Sequence, residues 1–348
     1  MLTSVSLFGS ANAGELAVSG TAKATYNIET GANKGKGLGI TNELNFTASG
    51  ELDNGYTWSY SMELDPGATI DTGDTTAEQN QSAHNDDTKL TLSTPMGTVG
   101  LFISEGGLDV EDAASQSVYS RPTDMGGSDG TVDNFTIDAY NNFQYHTAAD
   151  MLPYGISIKA AYAPDLDSYG SGNNSGVTQG EGAVGYAGRS ATELQVKAAP
   201  IAGLTVGASY FELDQQGGAK RDQDAESGAW YATYAVGNVT VGYSQAAKAL
   251  LVSDRVGNSE TVEHYEQNNT SIAYAVNDEL SISYEVEKSE AHYLAATADV
   301  EQKSTGIQLA YNMGGMTIAL ARNSHDNPSY STTAGDLDQT LFAVTMAF

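Results

Sequence analysis

Residues 104–133 read SEGGLDVEDAASQSVYSRPTDMGGSDGTVD, an acidic stretch that separates two segments of alternating apolar and small or polar residues, 99–103 and 135–147. An apolar residue at every second position is typical of a β-strand with one buried face. A connection longer than about 12 to 15 residues without secondary structure of its own is uncommon in a compact domain, and is usually a functional loop or a linker. The stretch therefore predicts a long functional loop between two strands.

The same alternation recurs along the whole chain. Its clearest example is YTWSYSMEL, residues 56–64, which follows a turn sequence, Asp53-Asn54-Gly55. Similar segments predict sixteen strands, joined alternately by tight turns and by long polar loops. Membrane barrels have this asymmetry of connections, whereas β-sandwiches do not require it. We therefore predict an all-β fold, a 16-stranded antiparallel transmembrane β-barrel, with residues 104–133 folded inward to narrow its pore.

The hydropathy of the chain is compatible with a barrel but not with membrane helices. No run of 18 or more apolar residues occurs, and a transmembrane helix needs about 20. A barrel strand needs only about 9 to 11 residues, and only every second side chain has to be apolar. A chain as polar as this one can therefore still span a bilayer.

The charge of the chain limits its partners. Asp and Glu number 44 against 15 Lys and Arg, which gives a net charge of −29. Such a chain is poorly suited to nucleic acid, and cations are the more plausible ligands. Cysteine is absent, so disulfides and thiolate metal sites are excluded.

The first thirteen residues differ from the rest. Residues 2–8 are weakly apolar, and Ala11-Asn12-Ala13 matches a signal-peptidase site, although a basic leading segment is missing. We interpret residues 1–13 as the remnant of a secretory signal peptide. The alternative is a short disordered N-terminus.

A family resemblance appears in the middle of the chain. The segments NNFQY at 141–145, GISI at 155–158 and AYA at 161–163 resemble the central signature of the bacterial general diffusion porins. The strand plan and the C-terminal Phe348 are also similar. The resemblance implies that residues 14–348 form a single porin barrel in the bacterial outer membrane. It also implies a homotrimer in contact with outer-membrane lipid and lipopolysaccharide, with the third long loop folded inward.

Two sets of charged residues are candidates for the pore constriction. The acids of the loop are Glu105, Asp109, Glu111, Asp112, Asp124, Asp129 and Asp133. The bases assigned by alternation to the inner wall are Lys23, Lys89, Lys159, Arg189, Lys197 and Arg322. Opposed rings of charge select ions and orient polar solutes. The arginine cluster that the family usually places opposite the loop is thin here, and the turn between Tyr145 and Gly155 is longer.

Catalytic and metal-binding patterns are missing from the sequence. The histidines are scattered, no H-E-x-x-H or G-x-S-x-G pattern occurs, and neither an enzyme nor a zinc site is predicted. We expect no cofactor. A structural Ca²⁺ in the outer loops, near Asp71 and Asp74 or near Asp165 and Asp167, is a weaker alternative because no glutamate stands at the required spacing.

The function predicted from these patterns is a passive, water-filled channel for small hydrophilic solutes and ions, biased towards cations. One alternative is a substrate-specific channel, which needs a ladder of inward aromatic residues. The other is a secreted structural or adhesive β-protein without a pore. The last strand, with Phe342, Val344, Met346 and Phe348 on one face, is expected to pair with the first strand and close the barrel.

Overall fold

A closed ring of sixteen antiparallel strands forms the protein in this computed structural model, with each strand paired to its neighbours in sequence and the first paired to the last. The structure describes residues 16–31, 34–65, 84–124, 133–164, 190–214, 223–252, 262–294 and 298–348. The predicted signal-peptide remnant, residues 1–13, lies outside these ranges. The prediction of a 16-stranded antiparallel barrel is confirmed.

The strands vary from short segments to long ones of sixteen or seventeen residues. They are β1 (Leu16–Gly31), β2 (Gly35–Glu51), β3 (Thr57–Asp65), β4 (His84–Thr94), β5 (Gly97–Ile103), β6 (Asn142–Thr147), β7 (Ser157–Ala163), β8 (Ser190–Ile201), β9 (Leu204–Asp214), β10 (Glu226–Val236), β11 (Val239–Ala249), β12 (Val262–Ala275), β13 (Leu280–Tyr293), β14 (Val300–Asn312), β15 (Met316–Asp326) and β16 (Leu337–Ala347). Within the described ranges, no helix is long and apolar enough to cross a membrane.

Side chains alternate between the two faces of each strand. On β13, Ile282 and Tyr284 are exposed, whereas Ser283 and Glu285 are buried. Because the wall of a barrel is a single sheet, the buried set faces the interior and the exposed apolar set faces outward. The barrel thus has an apolar outer surface and a polar interior, which is the arrangement suited to a lipid surrounding.

The first two strands are longer than the sequence suggests. The glycine- and lysine-rich sequence before Ile40 is typical of a loop, but Gly35 already pairs with Glu29, and the ladder continues from there through both strands. Lys36 and Gly37 therefore belong to β2. A local pattern of glycine and lysine indicates a turn, but backbone pairing with a neighbouring strand overrides it here.

The strand predicted at residues 135–147 begins later, so its first part was wrong. β6 starts at Asn142, and residues Ile137–Ala139 form a 3₁₀ turn instead. The Ile137 N–H donates to Glu193 Oε2 on β8 at 2.8 Å, and the Ile137 side chain is buried in a cluster with Phe211. The apolar residues of this segment therefore pack against the barrel wall rather than forming a ladder.

The barrel closes between the two ends of the described chain. β1 pairs with β16 from Thr21 opposite Ala347 to Gly31 opposite Leu337. Beyond this ladder, the Gly20 N–H donates to the Phe348 carbonyl oxygen at 2.9 Å, and the Phe348 N–H donates to the Gly20 carbonyl oxygen at 3.0 Å. The final residue thus extends the seam through its backbone.

Gly20 is required at this seam for reasons of space. A Cβ at this position would lie 2.5 Å from the Glu43 carbonyl oxygen and 2.9 Å from the Phe348 ring. Phe348 therefore covers a glycine that no larger residue can replace without displacing the ring or the neighbouring strand.

Deleting Phe348 should lower the yield of folded, heat-modifiable barrel, because both hydrogen bonds to Gly20 are lost and unpaired backbone groups in lipid cost several kcal/mol each. Phe348→Ala retains the backbone bonds and should reduce the yield less. The yield is measured as the fraction of outer-membrane protein that migrates faster without heating on denaturing gels. An undiminished yield for the deletion would contradict the proposed role of the final residue in closure.

Candidate pore constriction

The connection between β5 and β6 runs along the inner wall of the barrel. Polar side chains of the wall donate hydrogen bonds to its carbonyl oxygens: Gln195 Nε2 to Leu108 at 2.7 Å, Ser244 Oγ to Glu111 at 2.7 Å and Ser271 Oγ to Ala114 at 2.7 Å. Further along, the Tyr119 N–H donates to Gln308 Oε1 on β14 at 3.0 Å. These donors and acceptors lie on the buried faces of their strands. The described parts of this connection, residues 105–124 and 133–141, are called here the inner loop and therefore lie inside the barrel.

Small residues on the wall allow this close contact. A Cβ at Gly242 of β11 would lie 1.8 Å from the Ala114 carbonyl oxygen, and one at Gly306 of β14 would lie 2.7 Å from Pro122 Cγ. Glycine at both positions lets the backbone of the inner loop approach the sheet. Nearby, Val110 of the loop is buried in a cluster with apolar residues of β10 and β11.

Arg121 is the centre of the described loop charges. Its guanidinium donates to Asp124 from Nη2 at 2.7 Å and from Nε at 3.1 Å, and to Asp133 Oδ1 from Nη2 at 2.9 Å. It also contacts Asp112, and its Nε lies 3.7 Å from Glu287 Oε1 on β13. Only 5% of the Arg121 surface is exposed. The single arginine thus holds three predicted constriction acids and one wall carboxylate together.

Two acids of β13 that are not among the predicted site residues bind the inner loop. Glu287 Oε2 accepts hydrogen bonds from Thr123 N at 3.2 Å and from Thr123 Oγ1 at 2.8 Å. Glu285 Oε2 accepts from Ser115 Oγ at 2.7 Å and also from Ser117 Oγ. Both acids alternate with the exposed apolar residues of β13, so strand alternation alone would have placed them inside.

Glu111 is the most deeply buried acid of the inner loop, with 1% of its surface exposed. Its Oε1 accepts a hydrogen bond from the Asn134 N–H at 3.0 Å. Burial, followed by the charge of Asp109, raises the pKa of Glu111 from 4.5 to about 8. Burial and the charge of Asp109 also raise the pKa of Asp138. Glu111 is therefore mostly protonated at neutral pH and contributes little charge to the lumen.

Asp109 differs from its neighbours because it is half-buried and forms no ion pair with any residue that the structure describes. Its charge acts on Glu111, Asp138 and Glu193, so it lies among acids rather than among bases. Among the predicted loop acids that are described, Asp109 and the buried Glu111 are the two that form no ion pair with a lysine or arginine.

The predicted bases other than Arg189 and Arg322 lie on the inner face: Lys23 on β1, Lys89 on β4, Lys159 on β7 and Lys197 on β8. Lys89 forms an ion pair with Glu105 at the start of the inner loop. Lys159 is within electrostatic range of Lys197 and Lys89. Lys23 Nζ lies 5.8 Å from the centre of the Tyr119 ring.

One inner base was missed, and one predicted base was wrong. Lys248 of β11 donates to the Asp133 carbonyl oxygen at 2.6 Å and lies 4.2 Å from the centre of the Phe135 ring. Arg322 is exposed on the outer face, because it is two residues from Leu320 and shares its side of β15. Asp129 and Arg189 lie outside the described residues, as do the candidate calcium ligands.

The described residues of the inner loop cover one side of the inner wall more than the other. Wall residues of β12 and β14, such as Asn269 and Gln302, are fully buried. By contrast, inner residues of β1 to β4, including Lys23, Asn45 and Ser61, are only half-buried. Among the described residues, the inner wall is thus least covered between the inner loop and the first four strands, and this side of the lumen is called here the passage.

Carboxylate oxygens of Glu111, Asp112 and Asp133 lie within 4.8 Å of one another, which is close enough to hold a metal ion. However, Arg121 already contacts Asp112 and Asp133, and Glu111 retains its proton at neutral pH. The charge that would attract a metal ion is therefore largely offset by the protein itself.

A closed barrel with an apolar outside, a polar interior and a loop across that interior defines a membrane channel of the porin type. The chain belongs to the family described as Gram-negative porin, whose sequence model matches residues 2–327. It is therefore a protein of the bacterial outer membrane, and the alternative of a secreted β-protein without a pore is wrong. No curated protein matches the chain by sequence.

Solved porin structures share the fold at low sequence identity. OmpF of Salmonella typhi in complex with daunomycin is 14% identical with a TM-score of 0.66, over 96% of this chain and 98% of that chain. The anion-selective porin from Comamonas acidovorans is 12% identical with a TM-score of 0.67, over 96% and 99%. The trimer form of OmpT of Vibrio cholerae is 14% identical with a TM-score of 0.65, over 97% and 100%.

Arg121→Gln should release the inner loop from the wall, because it leaves the buried Glu287 carboxylate without its cationic partner. Breaking a buried ion pair in this way costs about 3 to 5 kcal/mol, which corresponds to more than about 100-fold in the population of undocked loop. The measurement is the rate at which chymotrypsin cleaves after Tyr119 in the folded barrel.

Two further variants serve as a rescue and a control for that cleavage rate. Adding Glu287→Gln should restore part of the protection, since it removes the orphaned charge. Lys288→Gln breaks an exposed ion pair with Glu301 on the outer face and should leave the rate nearly unchanged. Equal rates for Arg121→Gln and the parent would show that Arg121 does not hold the loop.

Docking of the inner loop should weaken as pH rises from about 4.5 through about 8, the range between the ordinary and the folded pKa of Glu111. The docked loop binds the proton on Glu111 more tightly than the undocked loop does. Docking is therefore most stable below pH 4.5, and this stability is lost as the pH rises through about 8. Hydrogen exchange of residues 105–124, corrected for intrinsic rates, measures this docking. Glu111→Gln should show a clearly weaker pH dependence, and an unchanged profile would contradict the assignment.

Proposed function

We propose that the protein is a passive, water-filled channel for small hydrophilic solutes and ions, with a preference for cations and without a cofactor or covalent chemistry. The observation that carries the proposal is Asp109, a partly exposed carboxylate of the inner loop that shares a hydrogen bond with the Glu111 carboxyl and forms no ion pair with a described base. A charge in a narrow lumen acts on a passing ion at short range and with little screening.

The other charges of the loop and wall also favour a preference for cations. Three loop carboxylates, Asp112, Asp124 and Asp133, share a single base, Arg121, with Glu287 of the wall, so this cluster retains a net negative charge even after pairing. The inner lysines oppose it, but Lys89 is offset by Glu105 and Lys248 is engaged with the loop backbone. Lys159 lies within electrostatic range of Lys197 and Lys89, so these inner bases form a separate group from the loop acids, and opposed groups of charge orient polar solutes in a pore.

The fold alone does not determine ion preference. A porin described as anion-selective has the same fold with a TM-score of 0.67. The preference must therefore come from the side chains that face the passage. This makes substitutions in the inner loop, rather than changes of the barrel, the informative test.

We also propose a homotrimer in contact with outer-membrane lipid and lipopolysaccharide. One similar structure is described as a trimer form, and the exposed apolar residues of the outer face suit both lipid and neighbouring copies. The mass of the detergent-solubilised protein, measured by light scattering with correction for detergent, tests the oligomeric state. A monomer as the main species would contradict this part of the proposal.

The channel should conduct cations in preference to anions, and Asp109→Asn should reduce this preference markedly. The measurement is the reversal potential of single channels in a planar bilayer under a KCl gradient. Glu111→Gln is the matched control inside the loop, because Glu111 is already mostly neutral at pH 7 and should change the potential little. Glu290→Gln on the outer face is the control for net charge.

Two results would contradict the proposed selectivity. One is an anion-selective parent channel. The other is an equal effect of all three substitutions, which would mean that the overall charge, rather than Asp109, sets the preference. Absence of any conductance would contradict the channel itself.

A further inference from the structure

A second cluster of polar residues lies on the outer face of β12 and β13, away from the lumen. His264 pairs directly with His292 across the two strands, and Glu266 pairs directly with Glu290 one step further along the same face. The two imidazole rings are stacked, with centres 4.4 Å apart and planes 12° from parallel. The histidines and glutamates thus form a square on one surface of the sheet.

Ligand atoms of three residues of this square converge, and Glu290 lies beside His292. His264 Nε2 lies 3.9 Å from Glu266 Oε1, and His292 Nε2 lies 3.8 Å from Glu290 Oε2. One nitrogen of each histidine and one oxygen of Glu266 all lie within 4.8 Å of one another. Ligands of a tetrahedral ion bound at about 2.0 to 2.2 Å are separated by about 3 to 4 Å, so a small movement of exposed side chains completes such a site.

Asp299 fixes the orientation of one histidine. Its Oδ2 lies 3.1 Å from His292 Nδ1, and its Oδ1 accepts a hydrogen bond from the Tyr293 N–H at 3.1 Å. His292 Nε2, on the opposite edge of the ring, is shielded from solvent and has no hydrogen-bond partner. A carboxylate on one ring nitrogen and a free second nitrogen is the usual arrangement of a metal-ligating histidine.

The charges around the square favour a bound cation. Glu290 lies directly opposite Glu266 on one side and directly opposite Glu301 on the other. Like charges directly opposite each other destabilise a sheet. Lys288 forms an ion pair with Glu301 at 3.1 Å, which leaves Glu266 and Glu290 without a lysine or arginine partner among the described residues.

We propose that His264, His292, Glu266 and Glu290 bind one divalent transition-metal ion of the Zn²⁺ or Cu²⁺ type on the outer surface of the barrel. Imidazole nitrogen combined with carboxylate oxygen suits these ions, whereas Ca²⁺ and Mg²⁺ prefer oxygen ligands alone. Asp299 acts as a positioning residue through His292. The site is separate from the passage, so the proposed metal binding does not depend on the proposed ion preference.

The test uses the full chain without an affinity tag, folded in detergent. Titration with ZnCl₂ in a calorimeter should show one saturable site per chain. His264→Gln combined with His292→Gln should abolish it, and Asp299→Asn should lower the affinity about 10-fold to 100-fold. With one equivalent of Cu²⁺, electron paramagnetic resonance should show coupling to imidazole nitrogen that the double variant lacks.

The matched control is His146→Gln, which removes a histidine of the inner face and should leave Zn²⁺ affinity unchanged. Heat-modifiability on gels shows that each variant is folded. The proposal is overturned by Zn²⁺ binding that survives in the double histidine variant, by binding that disappears in His146→Gln, or by Ca²⁺ binding the site as tightly as Zn²⁺. Absence of saturable binding to the parent also overturns it.

Discussion

The structure depends on the need to pair every backbone N–H and C=O group inside a lipid layer that offers no water. A closed ladder satisfies this need only if the last strand returns to the first, as it does from Thr21 opposite Ala347 to Gly31 opposite Leu337. Closure then divides all side chains between an outer and an inner face. The apolar outside, the polar lumen and the docking surface for the inner loop all follow from that division.

The inner loop is held by polar contacts that a soluble protein would place at its surface. Gln195, Ser244 and Ser271 bind loop carbonyl oxygens, and Glu285 and Glu287 accept from loop hydroxyls. Burying carboxylates is costly unless they are paired or protonated. Arg121 provides the pairing for Glu287, while Glu111 retains its proton. The same interactions that dock the loop therefore reduce the number of charges that a permeating ion encounters.

The outer face carries a second group of polar residues, separate from those of the lumen. Most of it is apolar, but the strand ends near residues 264 and 292 carry histidines and glutamates in direct register. Positions on neighbouring strands come together there through pairing alone, although they are far apart in sequence. A search of the sequence for closely spaced ligands cannot detect such a cluster. The register of β12 and β13 creates it.

The sequence by itself determined the class of fold, because strand alternation and the lengths of connections are local properties that a barrel imposes on every hairpin. It also placed Lys23, Lys89, Lys159 and Lys197 on the inner face through the same alternation. Arg322 was misplaced, although its spacing from Leu320 was enough to put it outside. Which loop acids pair with a base was decided only by the tertiary structure. Glu287 is distant in the chain from Arg121, and Asp133 reaches Arg121 only through the path of the loop inside the barrel, so local spacing could not reveal these contacts.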